Sequence, residues 1–199
     1  MLNQTDKVKK RVFDILLSVT GIVLVWWLVL LAWIVASFET KSNGLFMQKR
    51  VGKDAKLFNV LKIKTMNRVD GVNTTVTSSN DVRITKSGTF FRKTKIDELP
   101  QLFNVLFGTM SFVGPRPDVP GFADVLEGDD RIILCIAPGI TGPASLKYKD
   151  EEEILSKQED AERYNREVIW TDKVEVNKEY IENWSLQKDI KYIIKTVTG

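Results

Sequence analysis

Apolar residues are spread unevenly along the chain. From Ile15 to Phe38 no residue is charged, and as a helix this 24-residue run would extend about 36 Å, enough to cross a bilayer core of about 30 Å. Beyond it, Leu45-Phe46-Met47-Gln48 and Leu57-Phe58-Asn59-Val60-Leu61 are short apolar-aromatic stretches on either side of Arg50-Val51-Gly52-Lys53-Asp54-Ala55. That pattern predicts a hairpin or short strands. The stretch from Asp70 to Asp81 is polar, turn-rich and aperiodic, which predicts a surface loop. Pro100 excludes a helix interior and disfavours helical geometry at Leu99, so a helix is expected from Pro100 to about Phe107, closed by Gly108. Leu102, Phe103, Val105 and Leu106 would supply its buried face.

Between Gly114 and Pro143 prolines and glycines are dense and frame one apolar segment, Arg131 to Ala137. Rigid turns that build a site fit this better than a linker does. Asp150 to Val168 is charged and strongly helix-forming. Near the end, Leu186, Ile190, Ile193, Ile194 and Val197 recur at helical spacing opposite Lys188, Lys191 and Lys195. That stripe suits a membrane surface, although packing on the domain's own core is the favoured expectation. The fold class expected is α+β: a mostly helical single catalytic domain with a short β-hairpin. An N-terminal membrane-anchoring helix (residues 1–40) would precede a domain covering 41–199.

The flanks of the apolar run bear on topology. Lys7, Lys9, Lys10 and Arg11 precede it while Lys41, Lys49, Arg50 and Lys53 follow it, which frustrates the positive-inside rule for a simple span. A re-entrant helix that enters and leaves by the cytoplasmic face satisfies both flanks, with Ser18, Thr20 and Gly21 as available breakers. Trp26 and Trp27 near the middle fit a shallow bend at interfacial depth. Asp14, three residues beyond Arg11, is placed to pair with it on one helix face. Ala36 to Glu39 lacks a small-x-small cleavage pattern, so the segment is read as retained rather than as a signal peptide.

Composition narrows the chemistry. The formal charge of +3 is too weak to argue for nucleic acid and compatible with an anionic lipid surface. Histidine is absent, so catalysis must rest on carboxylates, Lys, Arg or hydroxyls. The single cysteine, Cys135, lies in an apolar run and reads as a buried structural thiol.

Asp97 and Glu98 are adjacent acids just before the expected helix start, where the helix dipole would favour their ionised forms and nearby phosphate. Arg83, Lys86, Arg92, Lys93 and Lys95 lie upstream and Arg116 downstream, as anionic substrates require. Without histidine, a carboxylate that attacks phosphorus to give an acyl phosphate is reasonable chemistry, and its neighbour can hold Mg2+ through oxygen. Taken alone, such a pair is more often a capping or solubility feature, and Arg116 between Pro115 and Pro117 is as often an incidental surface arginine as a phosphate ligand.

The wider context separates these readings. Asp81-Val-Arg-Ile-Thr-Lys-Ser-Gly88, then Arg92-Lys-Thr-Lys-Ile-Asp-Glu-Leu-Pro-Gln-Leu-Phe-Asn-Val-Leu106, then Met110-Ser-Phe-Val-Gly-Pro-Arg-Pro-Asp118 resemble the bacterial sugar transferase family, the monotopic phosphoglycosyl transferases. The likeness begins at Lys10-Arg11-Val12-Phe13-Asp14. It continues through Gln48 to Gly52 and Leu61-Lys-Ile-Lys-Thr-Met66, and reaches Tyr180 to Leu186. By that resemblance Asp97 attacks the β-phosphate of a UDP-sugar, releases UMP and holds the sugar phosphate until a polyprenyl phosphate takes it. Glu98 would bind the Mg2+ cofactor, and Lys62 and Arg92 would complete the catalytic group. Arg116, Pro117 and Arg83 would bind substrate phosphates.

The resemblance also implies membrane lipids as partners, with a second copy of the chain as a candidate partner and no nucleic acid. The place implied is the bacterial inner membrane, with the catalytic domain facing the cytoplasm. The chain departs from the family in two respects: no proline occurs before Pro100 to break the first helix, and Lys64 stands where arginine is usual. Two rival readings keep the basic residues, namely a silent nucleotide-sugar binder and a single-displacement transferase in which the acids only hold metal.

Overall fold

The computed structural model describes residues 2–67 and 81–199. All but the last residue of the expected Asp70 to Asp81 loop therefore lies outside the described residues. A helix, α1 (Gln4–Thr40), leads into two strands, β1 (Leu45–Val51) and β2 (Leu57–Ile63), which pair as a hairpin. Two short helices follow, α2 (Lys86–Thr94) and α3 (Gln101–Phe107). Next come β3 (Ser111–Val113), β4 (Gly139–Thr141), α4 (Pro143–Lys147), α5 (Glu151–Ser156), α6 (Ala161–Tyr164), α7 (Trp170–Glu182) and α8 (Leu186–Thr198).

The chain forms two compact units. One comprises Leu17–Gln48 and Asn59–Asn104, and the other Lys49–Phe58, Val105–Gly199 and the N-terminal residues to Leu16. α1 is continuous from Gln4 to Thr40, so Ser18, Thr20 and Gly21 lie inside an unbroken helix. It is long and apolar enough to cross a membrane by length and composition, and only 11% of its most apolar window is buried. Val23, Leu24, Trp26, Trp27 and Phe38 are all exposed. An apolar surface of this length facing outward calls for lipid or a partner.

In the unit that contains Asn59–Asn104, a small apolar cluster joins Ala32 and Ala36 of α1 to Ile63 of β2 and Phe91 of α2, with Ile96 and Val29 against it. Alanines on the helix side permit close approach. Beyond β2 the chain pairs back on itself: Met66 bridges Ile84, and the Thr85 N–H donates to the Thr65 carbonyl at 3.0 Å. Thr85 then caps α2, its hydroxyl accepting from the Gly88 N–H at 2.9 Å. Gly88 is obligatory there, since a Cβ would lie 2.4 Å from the Thr65 carbonyl oxygen.

In the other unit the core holds Val51, Val113, Ala123, Ile133, Leu134, Ile136, Val174, Tyr180 and Ile181. β3 and β4 pair in parallel, Ser111 opposite Gly139 and Val113 opposite Thr141. The expected apolar segment at 131–137 is largely a 3-10 helix, Gly128–Leu134, feeding this core, with half-buried Cys135 packed beside it. Burial pushes the Cys135 thiol up, as an inert structural cysteine requires.

A polar cluster sits in the same core. Lys10 donates to Asp189 Oδ2 at 2.7 Å and to the Val113 carbonyl at 2.8 Å. Asp189 also accepts from the Tyr180 hydroxyl at 2.6 Å and from the Trp184 indole at 3.1 Å.

Several expectations are corrected. Arg11 and Asp14 do not meet as an ion pair: Arg11 donates at 2.6 Å to each of the Val105 and Leu106 carbonyls, and Asp14 accepts from Phe112 N–H and Ser111 Oγ. The carbonyls left over at the end of α3 have no helical partners and take the Arg11 donors, while Asp14 is turned toward the donors at the start of β3. The charged stretch from Asp150 is interrupted at 157–160 between α5 and α6, and residues 165–169 form a π-helical turn leading into α7. The C-terminal stripe is packed away only in part: Ile193 lies against the core beside Asp189 and Tyr192, while Ile190, Ile194 and Val197 are exposed.

Candidate active site

Asp97 and Glu98 lie on a 3-10 turn, Ile96–Glu98, between α2 and α3. The turn exists because α2 ends at Lys95 in the left-handed region, φ 59°, a conformation that costs a non-glycine residue about 1–2 kcal/mol and reverses the chain at once. Glu98 N–H then bonds the Lys95 carbonyl and Leu99 N–H the Ile96 carbonyl. Pro100 supplies the helical φ for the start of α3, and Gly108 closes it at φ +82°, close to the expected limits.

The two acids have different surroundings. Glu98 is held by Lys62 of β2, Nζ to Oε1 3.0 Å, with both side chains about a fifth to a quarter exposed. A charge-assisted bond at that depth is worth about 1.5–3 kcal/mol. Asp97 is buried, 8% exposed, and among the described residues nothing donates to its Oδ1. Its carboxyl is pushed above the usual range, first by burial and then by the charge of Glu98, while Lys62, Lys95 and Arg92 draw it back. The expectation that a helix N-terminus would favour the ionised form is thus overridden by desolvation.

Arg92, on α2, donates through Nε to Thr65 Oγ1 at 3.0 Å and through Nη2 to the Met66 sulfur at 3.1 Å. A thioether is a weak acceptor, so among the described residues most of the guanidinium's capacity is unclaimed. Arg83 sits in the same unit and is clasped by Asp81: Nε to Oδ1 2.9 Å and Nη2 to Oδ2 2.6 Å. That guanidinium holds the Asp81 carboxyl down at about 2. Lys62, Arg83, Arg92, Asp97 and Glu98 therefore belong to one compact unit.

Arg116 and Pro117 belong to the other unit. They follow Gly114, whose N–H bonds the Thr141 carbonyl, and Pro115, whose carbonyl accepts from Gly139 at 2.8 Å, so the parallel β3–β4 pair continues into the turn. Arg116 is exposed and borders a shallow open depression lined also by Val51, Gly52, Asp118, Ile133 and Pro138. Arg50 donates to the Pro117 carbonyl at 3.2 Å. Burial pushes the Asp118 carboxyl up to about 6 despite Lys173, Arg116 and Arg50 nearby. Burial and Arg116 lower Arg50.

Sequence reasoning assigned no role to Thr65, Asn104 or Asp118, although each falls inside a quoted motif. Their parts are visible only once strand and helix are adjacent, and no local spacing signals them. As to metal, no group of three or more His, Cys, Asp or Glu side chains converges among the described residues. The oxygen donors at Asp97 and Glu98 fit the mode in which Mg2+ is held by one or two carboxylates together with water and substrate phosphate, not a protein cage.

A buried carboxylate with one oxygen unpartnered among the described residues, a second carboxylate braced by lysine and a guanidinium with donors to spare are chemically suited to phosphate groups. A family model described as bacterial sugar transferase matches residues 5–199, and the chain belongs to that family. It is 35% identical, over 98% of its length, to the UDP-glucose:undecaprenyl-phosphate glucose-1-phosphate transferase of Klebsiella pneumoniae, and covers 41% of that protein. A protein of the same name from Caulobacter vibrioides is 34% identical, with 95% of this chain and 68% of the relative covered. The UDP-N-acetylgalactosamine-undecaprenyl-phosphate N-acetylgalactosaminephosphotransferase of Aeromonas hydrophila is 32% identical over 94% of this chain and 42% of its own. The chain thus spans about two fifths of the length of several relatives that it matches.

Proposed function

We propose that this chain transfers a sugar phosphate from a UDP-sugar to a polyprenyl phosphate by a two-step route through Asp97. In the first step a carboxylate oxygen of Asp97 bonds to the β-phosphorus as the bond from that phosphorus to the bridging oxygen breaks, and UMP departs with that oxygen. In the second, an oxygen of the polyprenyl phosphate attacks the same phosphorus and Asp97 leaves as a free carboxylate. The product is a polyprenyl-diphosphate-sugar, the first lipid-linked intermediate of a membrane-assembled glycan. The observation that carries this reading is the buried Asp97 carboxylate with Oδ1 unpartnered among the described residues. A desolvated, unbonded oxygen has no hydrogen bonds to break before it attacks.

Glu98, braced by Lys62, would hold Mg2+, which when bound supplies charge neutralisation for the diphosphate. Arg92 would orient the transferred phosphoryl group, and Arg116, Pro117 and Arg83 would bind donor phosphates. The exposed apolar stripe of α8, with its flanking lysines, suits the headgroup layer of an anionic membrane. The place proposed is the bacterial inner membrane with residues 41–199 facing the cytoplasm, where nucleotide sugars are made.

The test is to supply purified full-length protein with Mg2+, radiolabelled undecaprenyl phosphate and a panel of UDP-glucose, UDP-galactose and UDP-N-acetylgalactosamine. The expected results are UMP release, labelled lipid product and, without lipid acceptor, a sugar-phosphate adduct on an Asp97 peptide. An active protein that forms no adduct supports single displacement instead.

The path of α1 is constrained by what its first residues touch, although the helix is unbroken from Gln4 to Thr40. Lys10, Arg11 and Asp14 at its start bond to Asp189, to the Val105 and Leu106 carbonyls and to Ser111 and Phe112 of the same compact unit, which with the basic flanks supports a helix that enters and leaves by one face, whereas a straight crossing would break those contacts. A cysteine placed at Asn3 in a Cys135→Ser background distinguishes them. Labelling of inverted but not right-side-out vesicles by an impermeant maleimide supports the first, and the reverse supports the second.

A further inference from the structure

Asn104 lies on α3, six residues beyond Glu98, and is 5% exposed. Both ends of its amide are used: Oδ1 accepts from the Leu61 N–H at 2.9 Å, and Nδ2 donates to the Asn59 carbonyl at 2.8 Å. On a strand, the N–H of one residue and the carbonyl two residues earlier point to the same side. The side-chain amide therefore makes the two bonds that one residue of an adjacent strand would make with its own N–H and C=O, and it joins α3 to β2 at a defined register.

The contact falls immediately before Lys62. Side chains alternate across a strand, so pinning the Leu61 backbone sets the direction in which Lys62 leaves it. Lys62 then reaches Glu98 at 3.0 Å, and Glu98 stands on the turn that leads into α3. The connections close on themselves: strand to lysine, lysine to glutamate, glutamate along the chain to α3, and Asn104 back to the strand. A rotation of α3 or a slip of β2 has to break at least one of these bonds.

We propose that Asn104 is the positioning residue of the Lys62–Glu98 pair, holding the strand and helix so that the Glu98 carboxylate is presented in one orientation beside Asp97. The consequence for catalysis rests on the proposed function above, and the geometric claim does not. A role in stability alone would leave Lys62 paired and the site's kinetics intact in any folded variant.

The experiment compares full-length wild type with Asn104→Leu, Asn104→Asp, Lys62→Met and the double variant Lys62→Met/Asn104→Leu. The first readout needs no turnover: acetylation of Lys62 by acetic anhydride, followed by mass spectrometry, with Glu98→Gln giving the rate for an unpaired lysine. Asn104→Leu is expected to raise Lys62 reactivity several-fold toward that limit. Should it fail to fold, Asn104→Asp, which keeps an acceptor for Leu61 and loses the donor to Asn59, is expected to show the same rise. The second readout is UMP release. Asn104→Leu should lower kcat about 10–100-fold, the usual loss for a group that orients a metal-holding residue. KM for the UDP-sugar should move little. The double variant should be no slower than Lys62→Met alone, because both act through one contact.

Unchanged Lys62 reactivity in a folded variant overturns the proposal, as does a double-variant loss equal to the product of the single losses. Increased reactivity in an enzyme that releases no UMP from any donor would sink the proposed function and leave the positioning role standing.

Discussion

Removing Lys10 should be among the most damaging single changes in the unit that contains the C-terminal helices. Its ammonium is 7% exposed and faces Asp189, which is fully buried, at 2.7 Å. In Lys10→Met, Asp189 keeps the Tyr180 and Trp184 donors but loses the compensating charge, and the Val113 carbonyl loses a donor. Leaving a buried charge unpaired costs about 3–5 kcal/mol. In a protein of this size that is a fall in Tm of roughly 6–20 °C.

The assay is thermal unfolding of detergent-purified protein followed by tryptophan fluorescence, which Trp184 makes directly sensitive to the cluster. Arg163→Ala is the control, because the Arg163–Glu167 pair is 71% and 57% exposed and should contribute less than about 1 kcal/mol. Lys10→Met/Asp189→Leu should recover much of the loss, since the desolvation cost of both charges disappears together. A Tm within the control's range for Lys10→Met would refute the claim that this cluster ties the start of α1 to the core. So would a double variant worse than either single one.

Other expected outcomes concern the site. Asp97→Asn should abolish turnover while keeping the fold. Because the Asp97 carboxyl is raised on folding, its ionisation opposes stability as pH climbs through that raised value, so the Asn variant should melt higher than wild type at neutral pH. A lower Tm would contradict the burial argument. In wild type, kcat/KM should rise with pH through the same ionisation, and a flat acidic limb measured by UMP release would count against Asp97 as nucleophile. Asp118, raised to about 6, contributes stability below about pH 4 that is lost by pH 6. Asp118→Asn should therefore flatten the Tm profile between those limits and add up to about 3 kcal/mol at pH 7, and an unchanged profile would show the group to be solvated. Arg116→Ala should raise KM for the donor about 10-fold or more with a smaller effect on kcat, as loss of a charged hydrogen bond predicts, and unaltered donor affinity would remove it from the site.

What could be read in advance follows from how local each feature is. The anchor helix, the hairpin and the helix between Pro100 and Gly108 were legible because an uncharged run, paired apolar stretches and a proline and glycine at the two ends are local signals. The parallel β3–β4 pair escaped, since Ser111 and Gly139 meet across 28 positions with no short motif announcing it. The fate of α8 was read only in part, because its helical period was sound and Ile193 does pack inward, but that face is anchored by Asp189, a polar residue that pattern reading assigns to solvent. Arg11 and Asp14 were expected to pair because they are near in sequence, yet each found backbone partners more than ninety residues away.

At the site, residue types and order in the chain named Asp97, Glu98, Lys62 and Arg92, because carboxylates and cations without histidine leave few chemistries and long motifs in a shared order are specific. By itself, then, the amino-acid order determined the local elements, the membrane-length helix and the family, and it named the groups proposed to react. Only the tertiary structure decided that the Asp97 carboxyl is desolvated and pushed up while Glu98 is paired with a lysine. Burial of Asp97, the lysine brace on Glu98 and the grip of Asn104 on β2 all depend on segments tens of residues apart being brought together, and desolvation and hydrogen-bond direction do not exist until that has happened.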